Sequence, residues 1–343
     1  MGDDLQASEA TDRPALLRIA TIGTSPDAVF HLESAAIRDE LTPVVAARCD
    51  GNESSPQPVP GCSVCEIDEL TERSDVDVVF VCGRVETRID FAIQLLQSGK
   101  HVVIEPSSSL STDQIQPLIN FVETGDKHCE IWRPYNADPD FRRAARLVAS
   151  GEAGPVRSLR FMQHDLAAAL LPRDESVVSR DRLTASTLRD LVAHRIAQAI
   201  TLADAPVRTS TGQFRKDELV LGERGSVRNV SPEGDTSFHS VIEFENGATA
   251  IIDISLASPA PYSTGWIVQG NQGGYHTERQ YITVDDGEIY DVAVEVEPFD
   301  PYLNLHSDLR HWPTPELQNR RLDQLRAELE LAKHLESILQ VEF

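Results

Sequence analysis

The sequence predicts an α/β chain in two parts, a parallel-sheet domain followed by an α+β domain with an open, mainly antiparallel sheet. Three observations predict it. Short apolar runs alternate with segments of helical apolar spacing through the first third of the chain. The stretch from Asp77 to Ser108, DVVFVCGRVETRIDFAIQLLQSGKHVVIEPSS, reads as one complete strand, loop, helix and strand unit. After Pro206 the pattern changes to successive strands, with Asn246-Gly247 as a hairpin turn between two of them. With 343 residues, 41% of them hydrophobic, the chain is long enough for two cores. The expected division is a disordered acidic leader over 1–14, a first domain over 15–133 and a second over 134–343.

Taken in order, Ala15 to Gly23 is a strand ending in glycine. Ala28 to Arg38 follows as a helix through Val29, Leu32, Ala35, Ala36 and Ile37, and Thr42 to Asp50 is the next strand. This is the frame of a Rossmann-like dinucleotide-binding half, with Asp50 placed to accept the ribose hydroxyls. Against G-x-G-x-x-G the chain keeps Gly23 but has Ser25 and Ala28 in the other two places. Ser25-Pro26-Asp27 reads as a helix cap, and Asp27 would offset the dipole that otherwise attracts phosphate. The Thr24 and Ser25 hydroxyls could still bind an anion, so a capped helix and a phosphate site both remain open.

Gly51 to Gly61 is a loop, in which Cys62 and Cys65 just beyond read as two reduced thiols near its end, and Ile67 to Ser74 is a short helix. In the central unit, Val78 to Cys82 is a continuous apolar run suited to a strand covered on both faces. Ile89, Ala92, Ile93, Leu95 and Leu96 carry the helix, Gly99 stops it, and His101 to Ile104 is the following strand. Right-handed crossovers put the carboxyl ends of such strands on one edge, where ligands of open α/β sheets bind. Cys82, Gly83 and Arg84, with Glu105 and Pro106, therefore border a site. Arg84 and Arg88 suit a carboxylate or phosphate, or are solvated.

Thr112 to Thr124 is an amphipathic helix and His128 to Trp132 a strand that completes the first domain. A helix from Asp138 to Ser150 leads into the second. The helix from Ala185 to Ala203 carries Asp190 and His194, four residues apart on one face, so the carboxylate could orient the imidazole for proton transfer. A surface pair or a packed histidine is the alternative. Strands are expected over Val207 to Phe214, Ser237 to Phe244, Ala248 to Ser255 and Trp266 to Gln269, with a closing helix from Arg321 to Leu339.

The segment GKHVVIEPSS resembles the Gfo/Idh/MocA oxidoreductase family, which has glycine, Lys-His-Val, a short strand and Glu-Lys-Pro at this point. SGEAGPVRSLRF is similar to the family's hinge, Asp190 and His194 match its Asp-x-x-x-His pair, and Trp266, Gly270 and Gly273 match W-x-x-x-G-x-x-G. The resemblance implies an NAD-dependent dehydrogenase of a sugar or polyol-like small molecule, with Asp190 and His194 catalytic. It implies cofactor binding by Gly23, Thr24, Ser25, Asp50, Cys82, Gly83, Arg84 and Glu105. NAD is favoured over NADP because Asp50 would repel a 2′-phosphate and Gly51-Asn52 offers no arginine. Pro106 stands where the family's lysine activates a substrate hydroxyl, leaving Arg84 or Arg133 as the cation available to replace it. Impaired dehydrogenase chemistry, or a non-catalytic relative that binds a ligand or partner, is the consequence. An open sheet in the second domain suits a homo-oligomer.

The formal net charge of -24 argues against nucleic acid or an anionic membrane surface as partner. No apolar run reaches membrane-span length and the start is not a signal peptide, so a cytoplasmic protein is expected. Five cysteines do not make a secreted disulfide framework. A metal site built from Asp190 and His194 with His164 and Asp165 lacks sufficient ligands on one element, and no metal is expected.

Overall fold

The computed structural model describes residues 16–23, 26–39, 41–48, 59–82, 85–106, 110–166, 185–217, 219–223, 226–230, 235–276, 279–283, 289–293, 309, 312 and 314–339. The expected leader, and Thr24, Ser25, Asp50, Gly83 and Arg84, lie outside them. The chain divides into two compact units, Met1–Val103 and Ile104–Phe343.

A six-stranded sheet runs in the order β3-β2-β1-β4-β5-β6, formed by β1 (Leu17–Ile22), β2 (Leu41–Arg48), β3 (Ser63–Glu66), β4 (Val78–Val81), β5 (His101–Ile104) and β6 (Cys129–Ile131). β1 pairs in parallel with both β2 and β4, so the strand order reverses direction at β1 and β4. All four residues of β4 are buried, as a continuous Val-Val-Phe-Val run requires when both faces are covered. The helices of the first unit are α1 (Pro26–Ala36), α2 (Ile67–Glu72) and α3 (Val85–Gln97). α1 begins with proline at its first position, as the sequence indicates. It ends two residues before the expected Arg38, and Ile37 is 85% exposed. β3 was not expected: it is a four-residue edge strand paired only with β2, and the segment around Cys62 and Cys65 reads as a loop by sequence. Burial raises the pKa of both thiols, which therefore stay protonated.

In the second unit, α4 (Thr112–Thr124) opens with a capping box between Ser111 and Gln114. A 3-10 turn, Pro134–Ala137, and α5 (Pro139–Ala149) follow β6, and then β7 (Val156–Leu166) and α6 (Ala185–Ala203). The strands after α6 are β8 (Val207–Arg215), β9 (Leu219–Glu223), β10 (Ser226–Val230), β11 (Ser237–Phe244), β12 (Thr249–Ser255), β13 (Ala257–Gly270), β14 (Gly273–His276), β15 (Arg279–Thr283) and β16 (Ile289–Ala293). Eight strands form a sheet in the order β16-β15-β14-β13-β7-β12-β11-β8, in which β12 and β7 are parallel and their other pairings are antiparallel. β9 and β10 form a separate hairpin.

One face of the large sheet is the core. Leu159 and Phe161 of β7, Phe238 and Ile242 of β11, and Ile252 and Ile254 of β12 pack with Leu188, Val192 and Ile196 of α6. The closing helix α7 (Pro315–Leu339) adds Leu331 and Leu335. It starts six residues before the expected Arg321, because Thr314 caps it: the Leu317 N–H donates to Thr314 Oγ1 at 3.3 Å, and Pro315 takes the first turn. β13 is likewise far longer than the expected Trp266–Gln269. Its Pro259 and Pro261 fall where the register with β7 skips from Ala257 to Tyr262, a place where missing N–H donors cost nothing to the ladder. The W-x-x-x-G-x-x-G motif is structural. The Trp266 indole N–H donates to Gln198 at 2.9 Å, and a Cβ on Gly270 would collide with the Ala153 carbonyl oxygen, so only glycine lets β13 approach that turn. Among the described residues no helix is long and apolar enough to cross a membrane.

Candidate functional site

The first unit places its candidate residues at the point where the strand order reverses. Gly23 follows β1 and Cys82 follows β4, and the Cys82 N–H donates to the Ile22 carbonyl at 3.0 Å. The Gly23 N–H donates to the Ala47 carbonyl, also at 3.0 Å, with φ at +102°. A side chain is strained at that angle, so the one glycine retained from the motif is the one the turn requires. Ala28 takes the third glycine's place and is 1% exposed, so the helix still closes on the sheet. His31 of α1 is buried below the turn, its ring stacked on Phe80 at 4.2 Å between centroids. These features fit a dinucleotide at this edge, the crevice that open α/β sheets use. Glu105 and Pro106, which belong to the second unit, follow β5 and are half-buried.

The second unit surrounds His194 with a buried polar network. His194 lies on α6 among core residues and is 6% exposed, while Asp190, one turn earlier, is half-buried. Arg133, just past β6, sends Nε to Glu328 Oε1 at 2.7 Å, and its Nη2 donates to the other oxygen of the same carboxylate. The pair is bidentate, and both head groups are buried. Arg133 Nη1 lies 3.4 Å from His194 Nδ1. A guanidinium can only donate, so Nδ1 is the acceptor and the neutral ring carries its proton on Nε2. Burial, and then the charges of Arg133 and Arg195, push the His194 pKa well below the usual histidine range. The ring is neutral at pH 7, and its Nε2 is a donor.

Tyr135 packs edge-on against His194, 4.8 Å between centroids, and its carbonyl accepts from Gln198 Nε2 at 2.7 Å. Arg195 is also buried, lying over the rings of Tyr135 and Phe161 at 4.9 and 4.3 Å and donating to Gln198 at 2.9 Å. Sequence reasoning named Asp190, His194 and Arg133 but missed Tyr135, Arg195, Gln198 and Glu328. The adjacent Arg195 was visible beside His194; Glu328 is 195 positions from Arg133 and carried no local signal.

Residues 17–130 match the oxidoreductase family profile with an NAD-binding Rossmann fold, and residues 141–276 match the GFO/IDH/MocA C-terminal domain. The chain belongs to the Gfo/Idh/MocA oxidoreductase family. It is 22% identical over 223 residues to an inositol 2-dehydrogenase of Rhizobium meliloti (strain 1021), covering 64% of this chain and 62% of that protein. It is 21% identical over 236 residues to a glycosyl hydrolase family 109 protein of Shewanella sp. (strain MR-4), covering 64% of this chain and 51% of that one. The matched stretch thus spans about half to three-fifths of the curated relatives' length. The crystal structure of GenD2 from gentamicin A biosynthesis, in complex with NAD, aligns over 95% of this chain and 94% of its own with a TM-score of 0.64 at 19% identity, which is a likeness of fold. Family membership makes the Rossmann-like sheet an NAD-binding fold and the large sheet a Gfo/Idh/MocA C-terminal domain.

Proposed function

We propose that this chain is an NAD-binding member of the family whose site takes a sugar or polyol-like ligand and performs hydride chemistry far below ordinary enzyme rates. The observation that carries the reading is the state of His194. Its Nδ1 is directed at Arg133 and its proton is on Nε2, so the ring offers a hydrogen bond to a ligand oxygen but a poor acceptor for a hydroxyl proton. A base with a pKa far below the working pH is weak in any tautomer. When bound, NAD supplies the hydride acceptor. Pro106 in the lysine's place gives no positive charge to lower the alcohol's pKa, and Arg133, the expected substitute, is neutralised by Glu328. Loss of one aimed donor costs about 3 kcal/mol of transition-state stabilisation, roughly a hundredfold in rate.

The substrate class is supported by the relatives, one named for inositol and one for glycosyl hydrolysis, both of which handle polyhydroxylated rings. Asp190, half-buried one turn before His194, is the group we assign to holding the α6 end of the ligand pocket. Thr24, Ser25, Asp50, Gly83, Arg84, Cys82 and Glu105 remain the residues assigned to the cofactor with Gly23, with NAD preferred over NADP through Asp50. We keep the functional domain border at 133/134; support for it is that it falls in the gap between the two family matches, residues 17–130 and 141–276. The outer face of the large sheet, where Val241 and Tyr262 are 42% and 55% exposed, is assigned to self-association.

The test is turnover with NAD across a panel of cyclic polyols and sugars, followed by nicotinamide absorbance in wild type and Pro106→Lys. The reading predicts wild-type turnover below roughly 0.1 s⁻¹ and a clear gain in the lysine variant. Wild-type turnover in the ordinary range of about 1–10³ s⁻¹, with no gain from lysine, would overturn it.

A further inference from the structure

Beside the buried network around His194 lies an aromatic side chain that the chemistry proposed above does not use. Tyr135 is 38% exposed, although its neighbours His194 and Arg195 are only 6% and 5% exposed. Its place is nevertheless fixed. Pro134 opens the 3-10 turn, the Asn136 N–H donates to the Arg133 carbonyl at 2.9 Å, and the Asp138 N–H donates to the Tyr135 carbonyl at 3.2 Å. The same Tyr135 carbonyl accepts from Gln198 Nε2 of α6 at 2.7 Å. The ring is held against α6 as well. The Arg195 guanidinium lies over it, 4.9 Å from the centroid, and is itself kept in place over Phe161 at 4.3 Å. His194 meets the ring at 63°, with 4.8 Å between centroids.

An aromatic ring left in water forgoes burial energy, and one locked there has already given up the side-chain freedom that a ligand contact would otherwise cost. Tyr135 is therefore preorganised for an apolar contact. A cyclic polyol or a pyranose is amphipathic in a matching way, with hydroxyls around its rim and C–H bonds on its faces. Small-molecule sites join such an aromatic wall to a few placed polar groups. Here the wall is Tyr135, and the polar group is the Nε2 donor of His194, whose tautomer Arg133 fixes. The 4.8 Å between the two centroids is within the span of one pyranose-sized ring, so a ligand seated on Tyr135 has a rim hydroxyl within reach of His194. An open-chain polyol carries the same hydroxyls. It has no continuous C–H face, and it loses more rotational freedom on binding.

We propose that Tyr135 is a specificity-determining residue whose ring packs on the C–H face of a cyclic polyhydroxylated ligand and selects it over an open-chain polyol, an inference that rests on the sugar or polyol reading above. The full chain is titrated, with and without NAD, by saturation-transfer NMR. The probes are scyllo-inositol, whose hydroxyls are all equatorial, and sorbitol, an open chain of equal carbon and hydroxyl count. Tyr135→Phe keeps the ring and removes the hydroxyl, whereas Tyr135→Ala and Tyr135→Leu remove the ring. The leucine variant keeps apolar bulk if the alanine variant does not fold, and circular dichroism verifies folding. The expected result is that loss of the ring weakens scyllo-inositol roughly tenfold, as uncovering one aromatic contact should, while sorbitol in these variants and both probes in Tyr135→Phe stay within about twofold of wild type. Unchanged scyllo-inositol affinity in folded Tyr135→Ala and Tyr135→Leu would overturn the assignment and leave the polyol reading standing. An equal loss for both probes would reveal a structural effect instead, and an equal loss in Tyr135→Phe a hydroxyl contact; either overturns the assignment. Wild type that binds neither probe would overturn the polyol reading together with it.

Discussion

Replacing Glu328 by glutamine removes the carboxylate that neutralises Arg133, in a place where the two head groups are only 2% and 4% exposed. The guanidinium would keep its desolvation cost and lose its partner, a change that destabilises by about 3–5 kcal/mol. For a domain of this size, at roughly 2–4 °C per kcal/mol, Tm should fall by roughly 6–20 °C. Arg133→Met, which strands the buried carboxylate, should cost a similar amount. The double variant Arg133→Met with Glu328→Leu removes both charges and leaves an apolar contact in their place, so it should lie within about 1 kcal/mol of wild type or above it. Thermal and urea unfolding of wild type, Arg133→Met, Glu328→Leu and the double variant measure the coupling, which must be of the size of the single losses. A Glu328→Gln variant within about 1 kcal/mol of wild type, or single losses that simply add in the double variant, would refute the description of this pair as buried and mutually dependent.

Gly23→Ala forces a side chain onto a φ of +102° and should cost about 1–3 kcal/mol while weakening NAD binding, read by thermal unfolding and by cofactor titration of the folded variant. His334 of α7 is buried, with neither ring nitrogen hydrogen-bonded, and burial pushes its pKa down to about 4. The unfolded chain takes up this proton below about pH 6.5 while the folded chain resists it to about pH 4, so stability is complete above that window and declines as pH falls through it. The decline from this one group is up to roughly 3 kcal/mol. His334→Leu should flatten the urea midpoint between pH 6.5 and 4; an unchanged slope would show that other groups set it.

How far the sequence reveals the fold depends on whether a feature is local. β4 was legible because four consecutive apolar residues in a parallel strand need no context, and α6 because Ala185 to Ala203 runs without glycine or proline. β13 was illegible before Trp266, since Pro259, Pro261 and Gly265 read as a loop until the bulged register with β7 is known. Thr314-Pro315 is a local helix-start signal, but the apolar stripe that marks α7 becomes regular only at Leu322. Of the candidate site, the Asp190 and His194 spacing was legible, but the groups that decide the imidazole's tautomer were not. Arg133 and His194 are 61 positions apart and meet only in the folded chain, and Glu328 arrives from α7.

The central claim is that the strand-order reversal at Gly23 and Cys82 still binds a nicotinamide dinucleotide despite the altered turn. Calorimetric titration of the full chain with NAD and, in parallel, NADP tests it most directly. The account predicts saturable NAD binding with a Kd from micromolar to a few hundred micromolar, by order of magnitude about -8 to -5 kcal/mol, and weaker binding of NADP. Absence of heat and of competition at millimolar NAD in folded protein, or tighter binding of NADP, would contradict it.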